Sequence, residues 1–198
     1  MSRREEMLFK NTEFVGYSDL NKKPGFQMGM HRTKDGRYYL YTACFRDNGF
    51  NIVDVTDPAN PVAKWVEGDW ISEVHDGQSL AKLQVADGKL IACYGGTMRV
   101  LHGTHEQPYW GGFKIYDIES DPLNPKLLGQ FECEDGPGVH RSFYNGGDYA
   151  YIMGSKRNFR GYILRIVDIS DPTNPTEVGS WWADGQYLGN KKASDMPE

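Results

Sequence analysis

Five histidines hold most of this chain's capacity for metal or acid–base chemistry, and three of them recur in similar surroundings. His31 follows Gly29-Met30 and precedes Arg32, His75 stands between Glu73-Val74 and Asp76-Gly77, and His140 follows Gly138-Val139 and precedes Arg141. Three imidazoles brought together from three parts of a fold make a ready site for a divalent transition metal such as Zn, Fe, Cu or Mn. Asp76 and Glu73 flank His75, where a carboxylate can orient a ligating imidazole or serve as a general acid–base group. Arg32 and Arg141 add the positive charge that an anionic ligand requires. The competing use is architectural, with each ring nitrogen bonded to a neighbouring backbone, and the sequence leaves both open. His102 and His105 form an H-x-x-H pair, but on a loop-like stretch that offers no rigid scaffold for ligand angles.

Other chemistries lack essential parts. Gly95-Gly96-Thr97 is not followed by the Lys of a phosphate loop, and no G-x-S-x-G turn is present. Cys44, Cys93 and Cys133 are odd in number and contain no C-x-x-C pair, which suits reduced thiols better than a disulfide framework. A net charge of −5, with Arg3-Arg4 cancelled at once by Glu5-Glu6, argues against a nucleic-acid partner. No stretch approaches the ~18 apolar residues of a membrane-spanning helix. The start, MSRREEMLFKNTEF, lacks the apolar segment of a signal peptide, so a soluble, cytoplasmic protein is expected, and an exported one if the start is truncated.

What could bring the histidines together is a repeat. Ile52-Val53-Asp54-Val55-Thr56-Asp57-Pro58-Ala59-Asn60-Pro61 recurs as Ile166-Val167-Asp168-Ile169-Ser170-Asp171-Pro172-Thr173-Asn174-Pro175. Between them, Ile115-Tyr116-Asp117-Ile118 continues, after the extra Glu119, into Ser120-Asp121-Pro122-Leu123-Asn124-Pro125. β-Branched residues build the strand that enters the motif. Asp-Pro ends it with an Asx-turn and a fixed φ, and Asn-Pro launches an extended segment. The motif is thus a strand–turn–strand corner, and Asp54, Asp117 and Asp168 are expected to serve architecture. Upstream lie further strand candidates joined by Gly-containing turns, such as Tyr38–Thr42 after Lys34-Asp35-Gly36 and Tyr149–Met153 after Gly146-Gly147-Asp148. Four antiparallel strands per unit is the blade of a β-propeller.

The decapeptide resembles the LVIVD repeat of bacterial and archaeal β-propeller proteins. The resemblance runs over roughly residues 13–186 and implies an all-β propeller, with no single activity attached. It divides the chain into an extension (1–12), an outer strand (13–20), blades at 21–70, 71–136 and 137–186, and a polar tail (187–198). Asn11–Tyr17 is similar to Asn174–Ser180, the outer strand of a blade. Three blades fall short of a ring of four to eight, so the remaining blades are expected from further sequence, or from a second copy in a homodimer. Residues 94–112 form an insertion in the middle repeat, and its Pro108-Tyr109-Trp110 suits a lid over the channel. Trp65, Trp70, Trp181 and Trp182 are expected in blade packing.

In a propeller the first strand of each blade is innermost, so His31, His75 and His140 are expected to line the channel. Three functions follow from that expectation. The first is a scaffold binding a small-molecule ligand or a protein partner at the channel face or rim. The second is a metal-dependent hydrolase, lyase or oxygenase with the histidines as ligands and Asp76 or Glu73 as acid–base group. The third is a purely structural repeat protein.

Overall fold

The computed structural model describes residues 10–44, 49–67, 78–96, 110–133 and 138–189. Twelve strands follow one another in it, with a single 3₁₀ turn at Leu20–Lys22 before the first and no α-helix among the described residues. They form three four-stranded antiparallel meanders. The first blade comprises β1 (Gly25–Arg32), β2 (Tyr38–Cys44), β3 (Gly49–Asp54) and β4 (Val62–Glu67). The second comprises β5 (Gln78–Ala86), β6 (Lys89–Gly96), β7 (Gly112–Asp117) and β8 (Lys126–Glu132). The third comprises β9 (Val139–Phe143), β10 (Tyr149–Gly154), β11 (Ile163–Asp168) and β12 (Thr176–Trp181). The expected outer strand at residues 13–20 carries no strand ladder.

The repeat is visible in the register. Tyr39 faces Asp54, Lys89 faces Asp117 and Tyr149 faces Asp168, so these three pairs occupy one position in the three blades. Among the described residues one bridge joins each blade to the next, Cys44 to Leu80 and then, one residue further along the repeat, Gly95 to Gly138.

Side-chain alternation along the strands builds two separate cores. Leu90, Ala92 and Tyr94 of β6 point to one side and pack with Tyr39, Tyr41, Ala43, Phe50 and Ile52 of the first blade. Ile91 and Cys93, one residue out of phase, point to the other side and join Phe113, Ile115 and Phe131 against Ala150, Ile152 and Val167 of the third. The second blade is therefore buried on both faces. That suits its near-continuous apolar run Leu90-Ile91-Ala92-Cys93-Tyr94, every residue of which is excluded from solvent. Each fully buried large side chain contributes about 1.5–3 kcal/mol, so the two interfaces dominate the cohesion of the array.

The corners explain themselves locally. Asp57, Asp121 and Asp171 each accept a hydrogen bond on Oδ1 from the backbone N–H two residues on, at 3.1, 3.0 and 2.9 Å. In all three a further backbone bond from the Asn N–H to the Asp carbonyl closes the turn. Asp54, Asp117 and Asp168 make an equivalent bond just before it, from the N–H of Thr56, Glu119 and Ser170. These carboxylates hold the chain direction, as the sequence implies, and Asp54 also pairs with the Arg37 guanidinium. Between β5 and β6, Asp87 and Gly88 both have positive φ (47° and 65°), the two-residue hairpin turn for which Asp-Gly is suited.

One polar residue is buried at the same position of each third strand: Asn51 opposite Thr42, Lys114 opposite Ala92 and Arg165 opposite Ile152. Each has a partner on the side of the preceding blade. The Arg165 guanidinium lies 4.8 Å from the Phe131 ring, and Lys114 Nζ lies 5.3 Å from that of Tyr94. Asn51 donates to the Leu20 carbonyl at 2.9 Å and accepts from Asn21 at 2.8 Å.

Candidate functional site

The first strands β1, β5 and β9 are neighbours, each packed on the next, and together make the inner face of the array. Whether their histidines meet depends on register. His31 pairs with Tyr39, whose equivalent in the third blade is Tyr149. His140 falls between Val139, which pairs with Gly154, and Arg141, which pairs with Met153. The two therefore sit at opposite ends of their inner strands, four to five residues or about 15 Å apart in level at ~3.3 Å per residue. Arg32 faces Tyr38 and Arg141 faces Met153, so the two arginines are separated in the same way. The expectation that His31 and His140 begin equivalent strands is corrected here: His31 nearly ends β1, while His140 nearly begins β9. His75, Glu73 and Asp76, like His102, His105 and Trp70, lie outside the described residues. Among the described residues no three His, Cys, Asp or Glu side chains are grouped to hold a metal ion.

At the His31 end the environment is mixed in charge. The imidazole is buried, and its Nε2 lies 3.6 Å from Glu119 Oε2 and has no hydrogen-bond partner. Lys34 Nζ reaches the other Glu119 oxygen at 3.0 Å. Arg32, Asp87 and Gly88 complete a shallow cleft of about 440 Å³ around them. Glu119 is the residue that the middle repeat has in addition, and this contact between the first and second blades is what it does. Arg32 leans over the Tyr38 ring at 5.7 Å.

At the His140 end three basic groups gather. Lys82, on β5, carries its ammonium 4.1 Å above the ring of Phe26, on β1. Burial holds its pKa below the usual lysine value, and the neighbouring Arg141 guanidinium lowers it further. His140 stacks on Tyr162 with ring centroids 5.2 Å apart. Burial depresses its pKa as well, and so do Arg141 and Lys82. Lys82, Arg141 and His140 thus come from two blades to one patch, close enough that Arg141 disfavours the charged form of Lys82 and both disfavour that of His140. Among the described residues no carboxylate forms an ion pair with any of the three. Lys82 has no counterpart among the candidates read from sequence. Its only signal is a cation inside the apolar strand Leu80–Val85.

The tryptophans divide. Trp65 lies under the Lys23 ammonium at 4.6 Å, whereas Trp181 is 64% exposed on the outer face of the third blade. Trp182 packs edge-on against Phe159 at 4.9 Å, with Tyr187 beside both.

Against known families, the model of the LVIVD repeat matches residues 38–66 and 146–182. These segments carry the second to fourth strands of the first and third blades. The middle blade falls outside them but repeats the same register around Asp117. No curated protein matches the chain.

Proposed function

We propose that this β-propeller-like chain, which matches the LVIVD repeat in its first and third blades, is a binding scaffold that takes a small anionic ligand on its inner face, at Lys82, Arg141 and His140. The observation that carries this reading is the convergence of these groups from β5 and β9 with, among the described residues, no carboxylate in an ion pair with them. Holding like charges together is unfavourable, and a phosphate-, sulfate- or carboxylate-bearing ligand relieves it while gaining charge-assisted hydrogen bonds. Phe26 and Tyr162 border the patch and give an organic ligand apolar surface. The metal-dependent enzyme needs histidines at one level, and the register of β1 and β9 does not favour it.

The test uses sulfate, whose charge is constant between pH 5 and 8, titrated calorimetrically into the protein at low salt. Binding is expected to weaken on Lys82→Ala and on Arg141→Ala, by roughly tenfold each if each removes one charge-assisted contact worth about 1.5 kcal/mol. It is expected to tighten on acidification, because protonating His140 adds a positive charge and its pKa lies below the ordinary histidine value. Wild-type affinity in both variants would exclude this patch as the site.

A further inference from the structure

We propose that Asn145 is a site of spontaneous isoaspartate formation, and that its conversion loosens the seam between the second and third blades.

The chain holds two Asn-Gly pairs, Asn48-Gly49 and Asn145-Gly146. In such a pair the glycine nitrogen can attack the asparagine Cγ with no side chain in its way. The new C–N bond closes a succinimide ring and the bond from Cγ to Nδ2 breaks. The proton that the glycine N–H gives up leaves with the displaced ammonia. Water then opens the ring: attack at Cγ yields an ordinary aspartate, and attack at the main-chain carbonyl yields an isoaspartate, whose backbone runs through Cβ and Cγ. The corner asparagines Asn60, Asn124 and Asn174 are each followed by proline, which has no N–H to lose.

The fold separates two pairs that are alike in sequence. Gly49 opens β3 in register with Glu67 and is buried, so closely packed that a Cβ would overlap the Trp65 ring and the Val66 carbonyl oxygen. Its nitrogen is free to attack only when this end of the strand opens. Asn145 is exposed in the turn between β9 and β10, outside any ladder, and is followed by Gly146 and Gly147 at φ 106° and 83°.

The same turn ties two blades together. Gly146 lies against the carboxylate of Asp87, at the β5–β6 tip, and Asp87 Oδ2 accepts from the Gly147 N–H at 2.7 Å. The Tyr144 hydroxyl donates to the Gly147 carbonyl at 3.2 Å. An isoaspartate lengthens the backbone by one carbon just before these contacts, which displaces the Gly147 N–H from its acceptor. It also adds a carboxylate one residue from the point at which Asp87 holds the turn, and the two negative charges repel.

Peptide mapping of the full chain aged at pH 8 tests this, with the protein folded and in urea. Cleavage after Lys and Arg places the two pairs in different peptides. In the folded chain conversion at Asn145 is expected to outpace that at Asn48 by about tenfold or more, the factor that an opening cost of about 1.4 kcal/mol at Gly49 produces. In urea the two rates are expected to agree. Aged wild type is expected to melt below fresh protein, whereas Asn145→Gln, which closes its ring far more slowly, is expected to keep its melting temperature on ageing. Equal rates at the two sites in the folded chain, or a faster one at Asn48, overturn the assignment of the site. Conversion of Asn145 with an unchanged melt, or an equal fall in Asn145→Gln, overturns its effect on the seam.

Discussion

Glu177→Gln isolates the ion cluster that ties β12 to the rest of the third blade. Glu177 Oε2 accepts from Arg165 Nε at 2.9 Å and Nη2 at 2.6 Å, and its Oε1 accepts from Lys156 Nζ at 2.5 Å. Arg165 is 6% exposed, and it also donates to the Ser155 carbonyl at 2.7 Å. A glutamine keeps the shape but has one acceptor oxygen, and it turns an amide N–H toward a donor. At least one charged donor then loses its acceptor, and the buried guanidinium loses its counter-charge. A hydrogen bond to a charged group is worth about 1.5–3 kcal/mol, and breaking a fully buried pair costs about 3–5. Glu177 keeps 18% of its side chain in solvent, which compensates part of the loss, so about 2–3 kcal/mol is expected. For a chain of this size that lowers Tm by roughly 4–12 °C, read by circular dichroism at pH 7.

The pH dependence supplies the sign. Burial alone would raise the pKa of Glu177, but the bonds from Lys156 and Arg165 outweigh it and leave it below the ordinary glutamate value. The contribution is therefore present above the unfolded pKa of about 4.3 and lost as pH falls through the folded one. The gap in stability between wild type and Glu177→Gln should narrow once pH falls below the unfolded pKa and close only below the folded one. Adding Arg165→Met to Glu177→Gln should recover part of the loss, since no buried charge is then left without a partner. A difference under about 0.5 kcal/mol at pH 7, or a gap of unchanged size at pH 3, would refute the reasoning.

Other consequences can be measured in the same way. Gly129→Ala drives a Cβ into the Pro172 carbonyl, a backbone atom that cannot turn aside, so a loss of about 1–3 kcal/mol is expected in urea unfolding. Phe113→Ala empties the centre of the second interface, where Phe113 stacks on Phe131 at 5.5 Å, and should cost about 3–5 kcal/mol by the same assay. Burial raises the Cys93 thiol to about 12 and that of Cys133 to about 11. A thiol reagent at pH 8 should therefore label both only at the rate of unfolding, and prompt labelling of the folded protein would contradict their burial. Asp121→Asn should be milder than Asp121→Ala in thermal melts, because the amide oxygen can still accept the Leu123 N–H.

The corners were legible because their chemistry is local: Asp, Pro and Asn act on backbone atoms two or three residues away, and the structure shows the same bonds three times. The strands between them were legible from β-branched runs and Gly turns. The histidine alignment was not. His31, His75 and His140 share short flanking patterns, but level along a strand is counted from the ladder. That count is altered by irregularities between Gly25 and Met28, between Leu80 and Lys82, and between Met153 and Gly154. A slip of one residue changes the face on which a side chain emerges. Lys82 escaped for the opposite reason: a lysine in a strand suggests a solvated position, and only the proximity of β1 and β9 gives it Phe26 and Arg141 as neighbours. Residues 13–20 resemble an outer strand in sequence, yet a ladder needs a partner edge, which no sequence pattern on the segment itself can provide.

The two-sided burial of the second blade has a bearing on how the array comes apart. In linear assemblies of similar units, stability is set by nearest-neighbour contacts, and units coupled on one side open before a unit coupled on both. In these three blades taken by themselves, amides of β6 and β7 should then exchange with solvent only through the largest opening, while those of β3 and β11 exchange through smaller, independent openings of the flanking blades. Among the three, the last cooperative unit to dissolve would be the blade whose repeat departs most from the shared pattern.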